Sequence, residues 1–228
     1  MQKDKKPEKV SVLFLFMCTL FTVCLITANV LETKQISFGP VNITGGLMVF
    51  PVSYIINDCV SEVWGYRRAR LLIWLGFMMN FIFVLFGALV DLIPPASYWD
   101  GQEGFHQIFG LAPRIAAASF LAFLTGSFVN AYVMSRMKLM HSGKHFSARA
   151  IMSTIFGESA DSIIFFPLAL SGVVPWEEMP SLIISQVCLK TIYEIIVLPV
   201  TIRVVRFTKK YENEDVYDRE VNYNIFSL

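Results

Sequence analysis

Charge is scarce in this chain. Only 16% of the 228 residues are Asp, Glu, Lys or Arg, against about a quarter in soluble domains. The balance is near neutral at +1, so there is no basic excess of the kind that binds nucleic acid and no acidic excess for a basic partner. Cysteine is limited to Cys18, Cys24, Cys59 and Cys188, each inside an apolar run. None has the Cys/His spacing of a metal site, and they read as small apolar core residues. The three histidines, His106, His141 and His145, are expected in loops. With no His-Glu-x-x-His motif and no Ser/His pairing within a span, an intramembrane enzyme is disfavoured. There is no Walker motif, so the chain has no ATP-hydrolysing site of its own. No cofactor is expected.

What the chain has is apolar length. Hydrophobic residues make up 55% of it, and several runs exceed the roughly 18 residues that signal a membrane span. Six spans are predicted, over residues 10–31, 46–64, 71–93, 113–137, 150–174 and 181–204. The fold class is therefore all-α, a polytopic membrane protein in the lipid bilayer. One membrane domain over residues 10–207 lies between an N-terminal tail, 1–9, and a C-terminal tail, 208–228. Lys3, Lys5, Lys6 and Lys9 precede the first run as in a signal peptide. That run is longer than a signal h-region, so it is read as an uncleaved helix.

Basic residues set the expected orientation. They gather in the N-terminal tail, in the 2–3 loop (Arg67, Arg68, Arg70), in the 4–5 region (Arg136, Lys138, Lys144, Arg149) and after the sixth span. Only Lys34 and Arg114 fall on the other side, and Lys190 is mid-span. By the positive-inside rule both termini are cytoplasmic.

The few charges that do enter the spans are the main signal. Asp58, Glu62, Glu158, Asp161, Lys190 and Glu194 all lie inside apolar runs. A charge near the bilayer centre costs roughly 2.5–3.5 kcal/mol on insertion scales, so such residues face a protein interior or wet cavity and mark a substrate or ion path. Residues three and four apart share a helix face. Tyr54, Asp58 and Glu62 form one stripe, flanked by Asn57 and Ser61. Glu62, near the cytoplasmic end, is placed to snorkel to water. Glu158 and Asp161 share a face in the fifth span, with Ser162 beside them and Phe165 and Phe166 a turn later. Gln186, Lys190 and Glu194 form a third stripe, with Tyr193 adjacent.

Lys190 can pair along its own helix with Glu194, or across to Asp58, Glu158 or Asp161. A purely structural ion network would account for part of this pattern. It does not account for the imbalance, because four mid-depth acids face one lysine and the remainder need protons, water or ligand donors. Asn29, Asn80 and Asn130 are further polar groups within spans, where an Asn more often joins helices than touches a ligand.

The second span follows Phe38-Gly39-Pro40 and Thr44-Gly45-Gly46 and has Pro51 early in its body. This suggests either a discontinuous helix at a binding site or a plain proline kink. Gly157 and Pro167 bracket the acids of the fifth span as a loose counterpart. The loop at residues 94–112, with Tyr98, Trp99 and Phe105, reads as an interfacial loop with aromatic anchors. The tail after Phe207, rich in Glu and Asp, is expected to be mobile.

In these motifs the chain resembles the vitamin uptake transporter family of bacterial queuosine precursor transporters. The resemblance rests on Thr27-Ala28-Asn29 with Lys34, and on Phe50-Pro51 through Tyr54 to Asp58, Glu62 and Gly65. It continues through Gly157-Glu158, Asp161-Ser162 and Phe165 to Lys190, Tyr193-Glu194 and Pro199. It implies uptake of the 7-deazaguanines preQ0 and preQ1 across the inner membrane for queuosine salvage, with queuine or queuosine as other substrates in the family. Carboxylates suit the N–H donors of a guanine-like edge, a further acid suits the aminomethyl cation of preQ1, and aromatic rings suit its flat face.

The expected substrate-binding residues are Asn29, Tyr54, Asp58, Glu158, Asp161, Ser162, Phe165, Lys190, Tyr193 and Glu194. Proton coupling and facilitated diffusion are both open. The alternatives are a substrate-binding subunit of a multi-component vitamin transporter, or a transporter of another small nitrogenous metabolite.

Overall fold

The computed structural model describes residues 10–31, 34–38, 41–109, 113–171, 176–177, 179–219 and 222–224. The expected N-terminal tail, Glu32, the Gly39-Pro40 step and the side chains of Phe50, Pro51, Arg114 and Gln186 lie outside what is described.

Helix α1 spans Val12–Leu31. Ser11 begins it by accepting the Phe14 N–H at 3.0 Å, so one unpaired N-terminal donor is satisfied. A short antiparallel hairpin follows, β1 (Gln35–Phe38) and β2 (Val41–Thr44), then a 3-10 turn over Gly45–Met48. Helix α2 covers Phe50–Asp91. The rest is α3 (Gln102–Phe109), α4 (Pro113–Met140), α5 (Phe146–Leu170) and α6 (Met179–Glu212).

The architecture is all-helical apart from that hairpin. Four helices among the described residues are long and apolar enough to cross a membrane: α1, α2, α5 and α6. Helix α2 has 42 residues in two helical parts. The second and third expected spans are these two parts, and α2 turns back between them: Trp64 meets Phe14 near the start of α1, while Gly45 and Asn80 both lie near its end, against Leu31 and Asn29. Helix α2 breaks at Gly65, whose φ of 81° and ψ of 175° are not helical. A positive φ is cheap only for glycine. No loop of arginines separates the two parts, since Arg67, Arg68 and Arg70 are already helical.

Pro51 does not kink the helix body. It stands in the first turn of α2, where its missing N–H costs nothing. Helix α4 packs between α2 and α5, with Ser127, Asn130 and Ser135 buried on it. The expected interfacial loop contains α3, and His106 lies on that helix with Nδ1 2.5 Å from Asp91 Oδ2.

A core of Phe14, Phe21, Val60, Val63, Leu72 and Phe123 joins α1, both parts of α2 and α4. Exposed apolar side chains such as Phe81, Phe86, Ile192 and Ile196 line the outer faces. An apolar exterior around a polar interior is the pattern a bilayer selects.

Candidate functional site

Two glycines set the site's frame. A Cβ on Gly126 of α4 would lie 2.8 Å from the Gly157 carbonyl oxygen of α5, and one on Gly157 would lie 2.9 Å from that of Gly126. Only hydrogen at both positions lets the backbones approach this closely. Tyr54 covers the crossing, its hydroxyl 2.6 Å and its ring edge 3.2 Å from those same two positions. Its hydroxyl therefore lies in the field of Glu158, Asp161 and Asp58.

Lys190 resolves the pairing left open by the sequence. Its ammonium reaches from α6 to α5, 2.7 Å from Glu158 Oε2 and 3.3 Å from Asp161 Oδ2. It serves both acids of the fifth-span stripe.

Asp58 and Glu194 form the other part of the layer. Both are almost wholly buried, at 0% and 1% exposure. Among the described residues neither has a cation within ion-pair distance, and Glu194 is the charge that acts most strongly on Asp58. Asp58 Oδ1 has Ser153 Oγ at 3.5 Å and the Asn130 side chain also bears on the Asp58 carboxyl, whereas Glu194 Oε1 finds no hydrogen-bond donor among the described residues. A buried carboxylate in that condition is costly until a proton, a cation or N–H donors complete it.

The remaining expected residues divide. Ser162 is buried beside Asp161, and its Oγ finds no partner among the described residues. Phe165 and Tyr193 are half-buried on α5 and α6, and Phe165 packs edge-on to Phe166 with centroids 5.4 Å apart. Asn29 donates its amide to Asn80 Oδ1 at 3.1 Å, joining α1 to the second part of α2. Asn57 plays the same joining role toward α4, donating to Ser127 O at 3.1 Å and Asn130 Oδ1 at 3.2 Å. Ser153 and Gly126 are not among the residues expected from the sequence. Gly126 had a signal, a glycine among small residues in an apolar run, but not a partner.

Glu62 corrects an expectation. It does not reach water; it is 1% exposed. Arg149 of α5 grips both its oxygens, Nη2 to Oε1 at 3.0 Å and Nη1 to Oε2, and Lys209 of α6 adds a contact at 2.6 Å. Lys138 of α4 stands 3.9 Å away. Glu62 thus belongs to a separate ionic layer, balanced by cations, one turn beyond the acid-rich one.

Acids buried inside an apolar shell are the kind of group that marks substrate and ion paths in membrane proteins. Residues 44–204 match a family model described as "Putative vitamin uptake transporter". The chain belongs to the vitamin uptake transporter family. Members of this family are membrane transporters, and the long apolar helices agree that the chain is a multi-pass membrane protein. Within the family it is similar to a "Probable queuosine precursor transporter" of Bacillus subtilis (strain 168), 30% identical over 181 residues, 78% of this chain and 77% of that one. It is also similar to the "Queuosine precursor transporter" of Escherichia coli (strain K12), 26% identical over 156 residues, 68% of each chain. No solved structure matches.

Proposed function

We propose that this family member imports queuosine precursors, the 7-deazaguanine bases preQ0 and preQ1, across the bacterial inner membrane, with both termini in the cytoplasm. The observation that carries the reading is the uneven charge of the buried layer. Lys190 serves Glu158 and Asp161, while Asp58 and Glu194 have no cation among the described residues. A guanine-like edge brings paired N–H donors that a carboxylate accepts, and the aminomethyl group of preQ1 brings a positive charge. Tyr54, Tyr193 and Phe165 are the rings against which a flat base stacks. The names of the relatives from Bacillus subtilis and Escherichia coli support this substrate class.

The layer is shut from solvent in this structure, with Asp58 and Glu158 at 0% and 1% exposure. Transport therefore needs an opening on each side in turn. A carboxyl that takes a proton on one side and exchanges it for substrate on the other would couple import to the proton gradient, and Asp58 with Glu194 is the pair suited to that exchange.

Uptake of labelled preQ0, preQ1 and queuine into liposomes holding the purified protein tests the reading. Import of preQ0 or preQ1 is expected, with loss on Glu158→Gln and Asp161→Asn. Normal uptake by both variants would overturn the site. Uptake that requires an added ATP-hydrolysing partner would instead make the chain a substrate-binding subunit.

A further inference from the structure

We propose that the segment after α6 is a latch: it holds the break in α2 and thereby closes the mouth on its own side of the buried acid layer. The proposal rests on the reading of that layer as the transport site.

A helix broken at Gly65 leaves backbone groups on either side without their usual partners. Here those groups are buried, since Val63 and Tyr66 are 0% and 1% exposed. The segment after α6 supplies what the helix cannot. Val216 N–H donates to Val63 O at 3.0 Å. Asp218 Oδ2 accepts the Tyr66 N–H at 2.9 Å. Lys138 closes the third position by donating to Glu62 O, and its ammonium also donates to Val216 O at 2.7 Å. The fit leaves no room: a Cβ on Gly65 would lie 2.7 Å from Asp218 Oδ1.

The segment is anchored on both sides of the break. Asp218 is itself buried and also accepts from Ser135 Oγ of α4. Arg70, on the second part of α2, donates to Asn222 O at 3.0 Å and Asn224 O at 2.6 Å. The Tyr223 ring sits between Tyr66 and Tyr132, with centroids 5.0 and 4.9 Å away.

The consequence concerns motion. The first part of α2 carries Tyr54, Asp58 and Glu62. If the segment leaves, the groups around Gly65 must find other partners, and they do so by a change in the angle between the two parts of α2. Transport needs one such change on each side, so the segment biases a two-state hinge toward its closed form. Asp218 is a positioning residue in this device.

Cys59 is a built-in reporter. It lies beside Asp58, 1% exposed, with Sγ 3.8 Å from Thr208 Oγ1. In full-length protein with Cys18, Cys24 and Cys188 changed to Ser, a membrane-impermeant maleimide is applied to each face of sealed vesicles. Asp218→Ala is expected to raise Cys59 labelling about ten-fold, from the face bearing the segment only. Asp218→Asn, which keeps one acceptor, serves if the Ala variant does not fold. A lower melting temperature with unchanged labelling would overturn the proposal, because it marks a merely structural contact.

In a second arm, Tyr132→Cys and Tyr223→Cys are joined by a short reducible cross-linker. Uptake of preQ1 is expected to fall about ten-fold when joined and to return on reduction; unchanged uptake in the joined form overturns the latch. Failure of every form to take up preQ1 overturns the substrate reading, and the labelling rates then judge the latch alone.

Discussion

Lys190 and Glu158 meet across two helices, Nζ to Oε2 at 2.7 Å, in a layer where the carboxyl group is 2% exposed. Removing one partner of a buried pair costs about 3–5 kcal/mol, because the other charge stays behind unpaired. Lys190→Met should therefore lower the melting temperature in detergent and abolish uptake. The double variant Lys190→Met/Glu158→Gln should recover much of the stability but none of the transport. Recovery of both would reduce the pair to a structural role.

A similar loss is expected one layer away without the direct link to substrate. Arg149 is fully buried and binds both oxygens of Glu62. Arg149→Met should cost about 3–5 kcal/mol of stability. Substrate affinity, measured on the protein that remains folded, should stay near that of the parent. A selective loss of affinity at unchanged stability would move Glu62 into the substrate site.

The glycine crossing makes a steric prediction. A methyl group at Gly126 would meet the Tyr54 hydroxyl at 2.6 Å and the Gly157 carbonyl at 2.8 Å. Overpacking of this kind costs about 1–3 kcal/mol. Gly126→Ala should push α4 from α5 and displace Tyr54, so binding should weaken more than stability alone explains. A binding titration beside a thermal melt separates the two.

The segment after α6 carries a pH prediction. Burial acts to raise the Asp215 carboxyl, but hydrogen bonds from Lys138 and Lys209 and their charges outweigh it and hold the group below its ordinary 3.8. A folded value below the unfolded one stabilises the protein above the unfolded pKa, and that contribution fades as pH falls through the folded value. The side chain is 43% exposed, so solvent screening keeps the effect small. Asp215→Asn should melt below the parent at about pH 7, and the gap should close below about pH 4. A gap that keeps its full size well below that pH would place its origin in packing rather than charge.

Much of this protein is legible in the chain because helical order is local. Apolar runs longer than a bilayer is thick determine the spans, and a repeat of 3.6 residues determines that Glu158 shares a face with Asp161 and that Tyr54, Asp58 and Glu62 form a stripe. The excess of acid over base at mid-depth is a matter of counting. The same local rules misread Pro51, which begins a helix as readily as it bends one, but they ended the second span at residue 64, beside the break at Gly65.

The tertiary structure decided which groups meet. It chose Glu158 and Asp161 as the partners of Lys190, took Glu62 from the expected water boundary into a closed cage of cations, and folded the segment after α6, expected to be free, onto the break at Gly65. Each of these depends on distances between helices. Those are set by glycine contacts, by side-chain volumes and by the need of buried polar groups for partners far along the chain, none of which a local pattern contains.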